Sequence, residues 1–367
     1  MKRKRFLSVV IVFFSVILVF WGVNMFKLQS SKFPTENFIV GHMVNTNGTL
    51  ATYLQDSGKL DSDLVQGREA LSETLGLWMQ YALEKNDRKM FEKSFELLTR
   101  YFMSEDGLVY WKLEPSGLSD VSTNATVDDL RIVGALFNAA DLWGSKSYQE
   151  TAVLISNFLT ENNRSGNLLS DYYDARQDSP GDRVTLSYID PSALADMARA
   201  DAVPAEVYQS MIALLAGAPE QNGFYAKSFN IKTGQYQFDQ EVNMIDQMLV
   251  AINLNRIEVN TRPLLHFIKK EFNEQGAILG RYNNKTKKPT VKYESPALYG
   301  LAIMYCVETG EEELALSMYT RMVQFRVDSV FSKHYGAYSI NRQKDTHIFD
   351  NLIPLLAERK LYNAGLL

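Results

Sequence analysis

Ser72-Glu73-Thr74-Leu75-Gly76-Leu77-Trp78-Met79 sets one acidic residue inside an apolar stretch. Around it Leu64, Ala70, Leu71, Leu75, Trp78, Met79 and Ala82 recur at mixed three- and four-residue spacings. That is the period of a helix with one buried face, beginning at about residue 61. A lone Glu on a helix is commonly a solvated surface group. Here Leu71, Leu75 and Trp78 place Glu73 near the apolar face, where desolvation disfavours the charged form and the carboxyl resists ionisation.

Working outward, similar helical stretches follow near 87–103, 126–143, 145–160, 191–200, 204–216, 241–255, 262–273, 295–309, 310–325 and 348–362. Asp61, Thr126 and Ser295 stand where three of these helices need N-terminal caps. The loops between them are rich in rings and acids: Tyr110-Trp111, Asp171-Tyr172-Tyr173-Asp174, Tyr236 to Phe238, Tyr282 and Tyr335 to Tyr338. Roughly a dozen paired helices without strand alternation predict an all-α toroid whose loops line one face. A short repeat of fixed signature is missing, which argues against a helical solenoid.

Composition narrows the function. The chain has 367 residues, 46% of them hydrophobic and 12% aromatic, enough for a large core. A net charge of −5 gives no basic footprint for nucleic acid. His42, His266, His334 and His347 are scattered, so no metal site is expected, and neither G-x-S-x-G nor G-x-x-x-x-G-K occurs, so no cofactor is expected either. Acids and aromatics remain. They are the components of a carbohydrate cleft, where rings stack on sugar faces and carboxyls do acid–base work.

The first residues read separately. Lys2-Arg3-Lys4-Arg5 precede Phe6–Phe26, 21 residues without a charge. At about 1.5 Å per residue they span the roughly 30 Å hydrocarbon core, and the basic head keeps the N-terminus cytoplasmic. The run ends in Trp21, Asn24 and Phe26 without an A-x-A-like site, which favours an uncleaved anchor over a cleaved signal. The expected organisation is a cytoplasmic basic segment (1–5), a transmembrane anchor (6–26), a linker and lead-in (27–60) and one domain (61–367). The domain would lie outside the cell, at a bacterial membrane. With Cys306 as the only cysteine, no intrachain disulfide can hold it.

Several segments, in order, resemble glycoside hydrolase family 8, which includes bacterial cellulases, xylanases, chitosanases and exopolysaccharide-degrading enzymes. Ser72-Glu73-Thr74-Leu75-Gly76 resembles the segment carrying the family's general acid. Tyr110-Trp111 resembles its tryptophan loop, and Ala125-Thr126-Val127-Asp128-Asp129-Leu130-Arg131-Ile132 resembles A-T-D-x-D-L-x-I. Ala139-Ala140-Asp141-Leu142-Trp143 resembles the end of that helix, and Ser187-Tyr188-Ile189-Asp190-Pro191 resembles S-Y-x-x-P. The likeness runs through nearly everything after residue 61. It departs at Val127, where the family has its first Asp, and around Asp246, where only the Asp of Y-D-A-x-R survives, with Asp239 and Glu241 close by.

The resemblance implies an (α/α)6 barrel behind one transmembrane helix, with a long groove across one end and inversion at the cleaved carbon. Carried over, Glu73 is the general acid, Asp246 the general base and Asp129 a substrate-positioning carboxylate. On the residues alone, Asp128 and Asp129 are equally first-turn acids favoured by the helix dipole. Trp78, Tyr110, Trp111, Asp128, Tyr188 and Tyr236 are the candidates for sugar contacts. An inverting pair needs carboxyls roughly 6.5–9.5 Å apart. The expected activity is endo-hydrolysis of a β-linked exopolysaccharide, tethered beside the polymer's synthesis or export machinery. The rival is a glycan-binding scaffold that kept the toroid and lost catalysis. A lyase on another helical toroid is the third reading.

Overall fold

The computed structural model describes residues 32–57 and 64–367. The expected anchor over 6–26 and the expected cap Asp61 lie outside the described residues. Among the described residues, no helix is long and apolar enough to cross a membrane.

Twelve α-helices occur among the described residues: α1 (Pro34–His42), α2 (Ser72–Glu84), α3 (Arg88–Leu97), α4 (Thr126–Trp143), α5 (Lys146–Asn162), α6 (Pro191–Arg199), α7 (Ala205–Ala216), α8 (Met244–Arg256), α9 (Arg262–Gln275), α10 (Pro296–Glu308), α11 (Glu312–Met322) and α12 (Phe349–Asn363). The even-numbered helices touch in a closed ring, α2 to α4 to α6 to α8 to α10 to α12 and back to α2. Helices α3, α5, α7 and α11 each lean on the ring helix before them, and α1 leans on α12. This is the (α/α)6 barrel.

Side-chain pattern explains which helix goes where. In α10 an unbroken run from Pro296 to Cys306 is buried, as a helix enclosed on all sides requires. By contrast α9 buries only Leu264, Phe267 and Ile268, a single stripe for an outer helix. The turns after ring helices are short (85–87, 144–145, 200–204, 257–261 and 309–311). The segments before them are long (98–125, 163–190, 217–243, 276–295 and 323–348). All the long segments therefore gather at the end where the ring helices begin. The positive ends of six helix dipoles point there as well.

Short antiparallel strands tie these long segments together. Ala70–Leu71 pairs with Lys112–Leu113, and Ser228–Asn230 lies between Arg183–Thr185 and Gln235–Gln237. Glu241–Asn243 pairs with Arg281–Asn283. At two or three residues each, they are too short for alternation to show in the sequence.

Three expectations need correction. The helix carrying Glu73 starts at Ser72 and not near 61, because Ala70-Leu71 pairs as a strand. Thr126 is not a side-chain cap: it is already helical, and its hydroxyl donates to the Ser170 carbonyl at 2.6 Å. The segment expected as linker contains α1, whose Phe38 and Ile39 are in the core and whose Thr35 hydroxyl donates to the Gly336 carbonyl at 2.8 Å. Ser295 does cap α10, accepting from the Leu298 N–H at 3.3 Å.

Candidate active site

Glu73 stands in the first turn of α2, partly accessible at the crowded end of the ring. The Ser72 N–H donates to the Trp111 carbonyl at 3.0 Å, which pins the tryptophan loop to the start of this helix. Helices α2 and α4 approach closely here: a Cβ on Gly76 would sit 3.1 Å from Cδ of Arg131. Glycine is what brings the first turns of the two helices together.

Asp128, in the first turn of α4, uses that proximity. Its carboxylate accepts from the Ser72 hydroxyl at 2.8 Å and from the Glu73 N–H, and pairs with Arg131 at 3.0 Å. Leu71 offers α2 no side-chain cap, so Asp128 satisfies that helix end from a neighbouring helix. Burial pushes the Glu73 carboxyl up to about 7, the Asp128 charge adds to the rise, and Arg131 opposes it. A carboxyl still protonated near neutral pH is what an acid catalyst of glycoside cleavage needs.

Across the ring, Asp246 lies in the first turn of α8, whose cap Asn243 accepts from the Ile245 N–H at 3.0 Å. The Ser187 hydroxyl donates to Asp246 at 3.3 Å. Burial raises its carboxyl above the ordinary value, while Lys227 and the Ser187 bond hold the rise back. Lys227 itself pairs with Asp239 at 3.0 Å. Tyr225, Lys227, Asp239, Val242, Asn243, Asp246 and Gln247 line a small pocket with room for about one water.

Tyr188 joins the two sides. Burial, and then the charges of Asp171, Asp128, Asp246 and Glu73, raise its hydroxyl to about 12. One phenol therefore feels four carboxyls that come from four separate stretches of chain. Asp171 was not among the expected site residues. It accepts from the Thr185 N–H at 2.6 Å and the Thr185 hydroxyl at 2.7 Å, and burial raises its carboxyl. The only sequence signal for it was the acid-and-ring cluster 171–174.

Several expected contacts lie elsewhere. Asp129 is 1% exposed, so it cannot position a sugar. It follows Asp128 by about 100° around α4 and faces inward, where Asn124 donates to it at 2.6 Å. Its other oxygen is without a hydrogen-bond partner, and burial raises its carboxyl well above the usual range. Trp78 is a core residue stacked on Tyr81, with ring centres 5.3 Å apart. Tyr236 is fastened to the outside of the ring by its hydroxyl, which donates to the Leu214 carbonyl at 2.7 Å. Tyr110 packs against the cluster of Leu108, Phe158 and Tyr173. Trp111 is half-buried on the acid's side of the site. Among the described residues, no group of three or more His, Cys, Asp or Glu could hold a metal.

Comparison with known proteins agrees with this fold. The family model for glycosyl hydrolases family 8 matches residues 50–171, the part that carries Glu73, Trp111 and Asp128. The Bacillus subtilis (strain 168) protein named "Putative lipoprotein YdaJ" is 37% identical over 346 residues, covering 94% of this chain and 90% of that one. A structure described as a novel alpha-amylase from Clostridium perfringens superposes with a TM-score of 0.81 at 26% identity, covering 89% of this chain and 96% of that one. The endo-beta-1,4-glucanase CMCax of Acetobacter xylinum has the same fold, with a TM-score of 0.61 at 16% identity, covering 90% of this chain and 97% of that one. With its helical ring and these relatives, the chain belongs to glycosyl hydrolase family 8 and is a glycoside hydrolase.

Proposed function

We propose that the protein is an extracytoplasmic endo-glycosidase that cleaves a β-linked exopolysaccharide with inversion. The observation that carries this reading is the placing of Glu73 and Asp246 in the first turns of two ring helices, at the end where the long segments gather. Glu73 donates its proton to the glycosidic oxygen as the C–O bond breaks. Asp246 takes a proton from water as that water attacks the anomeric carbon from the opposite face. The pocket beside Asp246 is of a size to seat the water. Asp128 holds the start of the acid's helix, and Trp111 offers a ring beside it.

Tethering through residues 6–26 would keep the enzyme beside the polymer as it leaves the cell. A second reading, cleavage of an α-linked glucan, is favoured by the likeness to the Clostridium perfringens protein described as an alpha-amylase. The scaffold reading rests on Val127, which stands where the family pattern has a carboxylate.

Release of reducing ends from soluble starch, carboxymethylcellulose and a set of bacterial exopolysaccharides, by the protein and its Glu73→Gln variant, separates the three. Glu73-dependent release names the polymer and its linkage, and the anomer seen first by NMR reports inversion. Retention overturns the mechanism. Binding without release from any polymer supports the scaffold.

A further inference from the structure

Tyr293 is 53% exposed, and a single exposed ring is ordinary on a protein surface. Its mounting is not ordinary. The ring lies directly on Gly280: a Cβ there would fall 2.3 Å from Cε2 and 2.8 Å from Cζ of Tyr293. Gly280 does not have a left-handed backbone, so its missing side chain serves space and not conformation. Its N–H donates to the Tyr293 carbonyl at 3.0 Å, which fixes seat and ring together.

The neighbours complete the mount. Glu294, the next residue, is held by Arg321 through contacts of 2.8 and 2.5 Å. Ser295 then caps α10. On the other side the Arg281 guanidinium reaches the Tyr293 hydroxyl and pairs with Glu241 at 2.9 Å. The ring is held against the Gly280 backbone while about half of the residue is left to solvent, with the Arg281 guanidinium at its hydroxyl.

The position is beside the chemistry. The Gly280 carbonyl accepts from the Met244 N–H at 3.1 Å, two residues before Asp246. Arg281 is close enough to Asp246 to act on its charge. A pyranose ring presents an apolar C–H face and a polar hydroxyl edge. A rigid phenol with an Arg and a Glu at its margin matches both, and a platform fixed in advance loses little entropy on binding.

We propose that Tyr293, seated on Gly280, is a stacking platform for one sugar ring of the polysaccharide on the Asp246 side of the groove, with Arg281 and Glu241 meeting its hydroxyls. This rests on the glycosidase reading for its ligand class, and its test does not need turnover. The Glu73→Gln protein is run in native gels cast with soluble starch or with carboxymethylcellulose, beside the same protein carrying Tyr293→Ala, Tyr293→Phe or Gly280→Ala. Thermal unfolding of each variant checks the fold.

Tyr293→Ala should weaken retardation about tenfold on the gel that retards the parent, the scale set by losing one buried ring face. Tyr293→Phe should keep most of the retardation, and Gly280→Ala should lose it by lifting the ring. Equal retardation of the parent and Tyr293→Ala, or no retardation of the parent on either gel, overturns the platform. Loss of retardation with Tyr293→Ala, in a protein whose wild type releases no reducing ends, would uphold the platform and sink the hydrolytic reading.

Discussion

The Ser72 hydroxyl donates to the Asp128 carboxylate at 2.8 Å, so the helix that carries Glu73 is capped by a side chain 56 residues away. A local cap would have held the helix equally well. A distant one also sets a negative charge next to the acid, and that charge raises the proton affinity of Glu73.

The pH profile should therefore be a bell on the acidic side of neutrality. Glu73 must be protonated to act, so activity falls as pH rises through about 7. Asp246 must be ionised, so activity is lost as pH falls through its raised value. In Asp128→Asn the repulsion disappears while Arg131 stays. The alkaline limb of kcat/KM should then move down by roughly one pH unit, and a carboxyl NMR titration of Glu73 should follow it. An unmoved limb would show that Asp128 acts only as a cap.

Glu73→Gln should lower kcat by about 10²–10⁴-fold, the usual worth of a positioned proton donor, with polymer binding retained. Asp246→Asn should do the same from the other side. Release of reducing ends under saturating polymer measures both. Full activity of Asp246→Asn would move the base to another carboxylate, Asp171 being the first to examine.

Stability should run against activity at Glu73. The folded-state value is raised from 4.5 to about 7, so the unfolded chain releases this proton more readily. Its effect on stability is absent below about pH 4.5, grows as pH rises from there to about 7, and is constant above that. Glu73→Gln removes it. Denaturant unfolding at pH 8 should show the variant more stable by about 3 kcal/mol, with the gap closing toward pH 4.5. A gap that does not depend on pH would refute the linkage.

Under the site lies a fully buried ion pair, Lys112 with Glu69 at 3.0 Å, both side chains at 0% exposure. Lys112 sits in the strand that pairs with Ala70–Leu71 just ahead of Glu73. Lys112→Ala leaves the Glu69 charge buried without its counter-charge and should cost about 3–5 kcal/mol in urea unfolding. Lys112→Met combined with Glu69→Leu should recover most of that loss, since an apolar pair carries no desolvation penalty.

Most helices were legible in the sequence because each ring or outer helix must bury a face, and burial writes a three- to four-residue period. The stretch read as 126–143 is α4, Thr126–Trp143. α1 is only nine residues long, Pro34–His42, too short for the period to repeat, and the segment passed for a linker. Short strands left no trace for the same reason.

The site divides along the same line. Local sequence determined that Glu73 would stand in an apolar helical stretch, because its helix must bury a face and burial writes the three- to four-residue period. It could not say which of the adjacent acids Asp128 and Asp129 meets the start of α2. That depends on the rotation of α4 against α2, set by the close approach at Gly76. Nor could it bring Tyr188 to Glu73, Asp128, Asp171 and Asp246, or lay Tyr293 on Gly280. Those proximities join residues far apart in the chain, and only closure of the six-helix ring decides them.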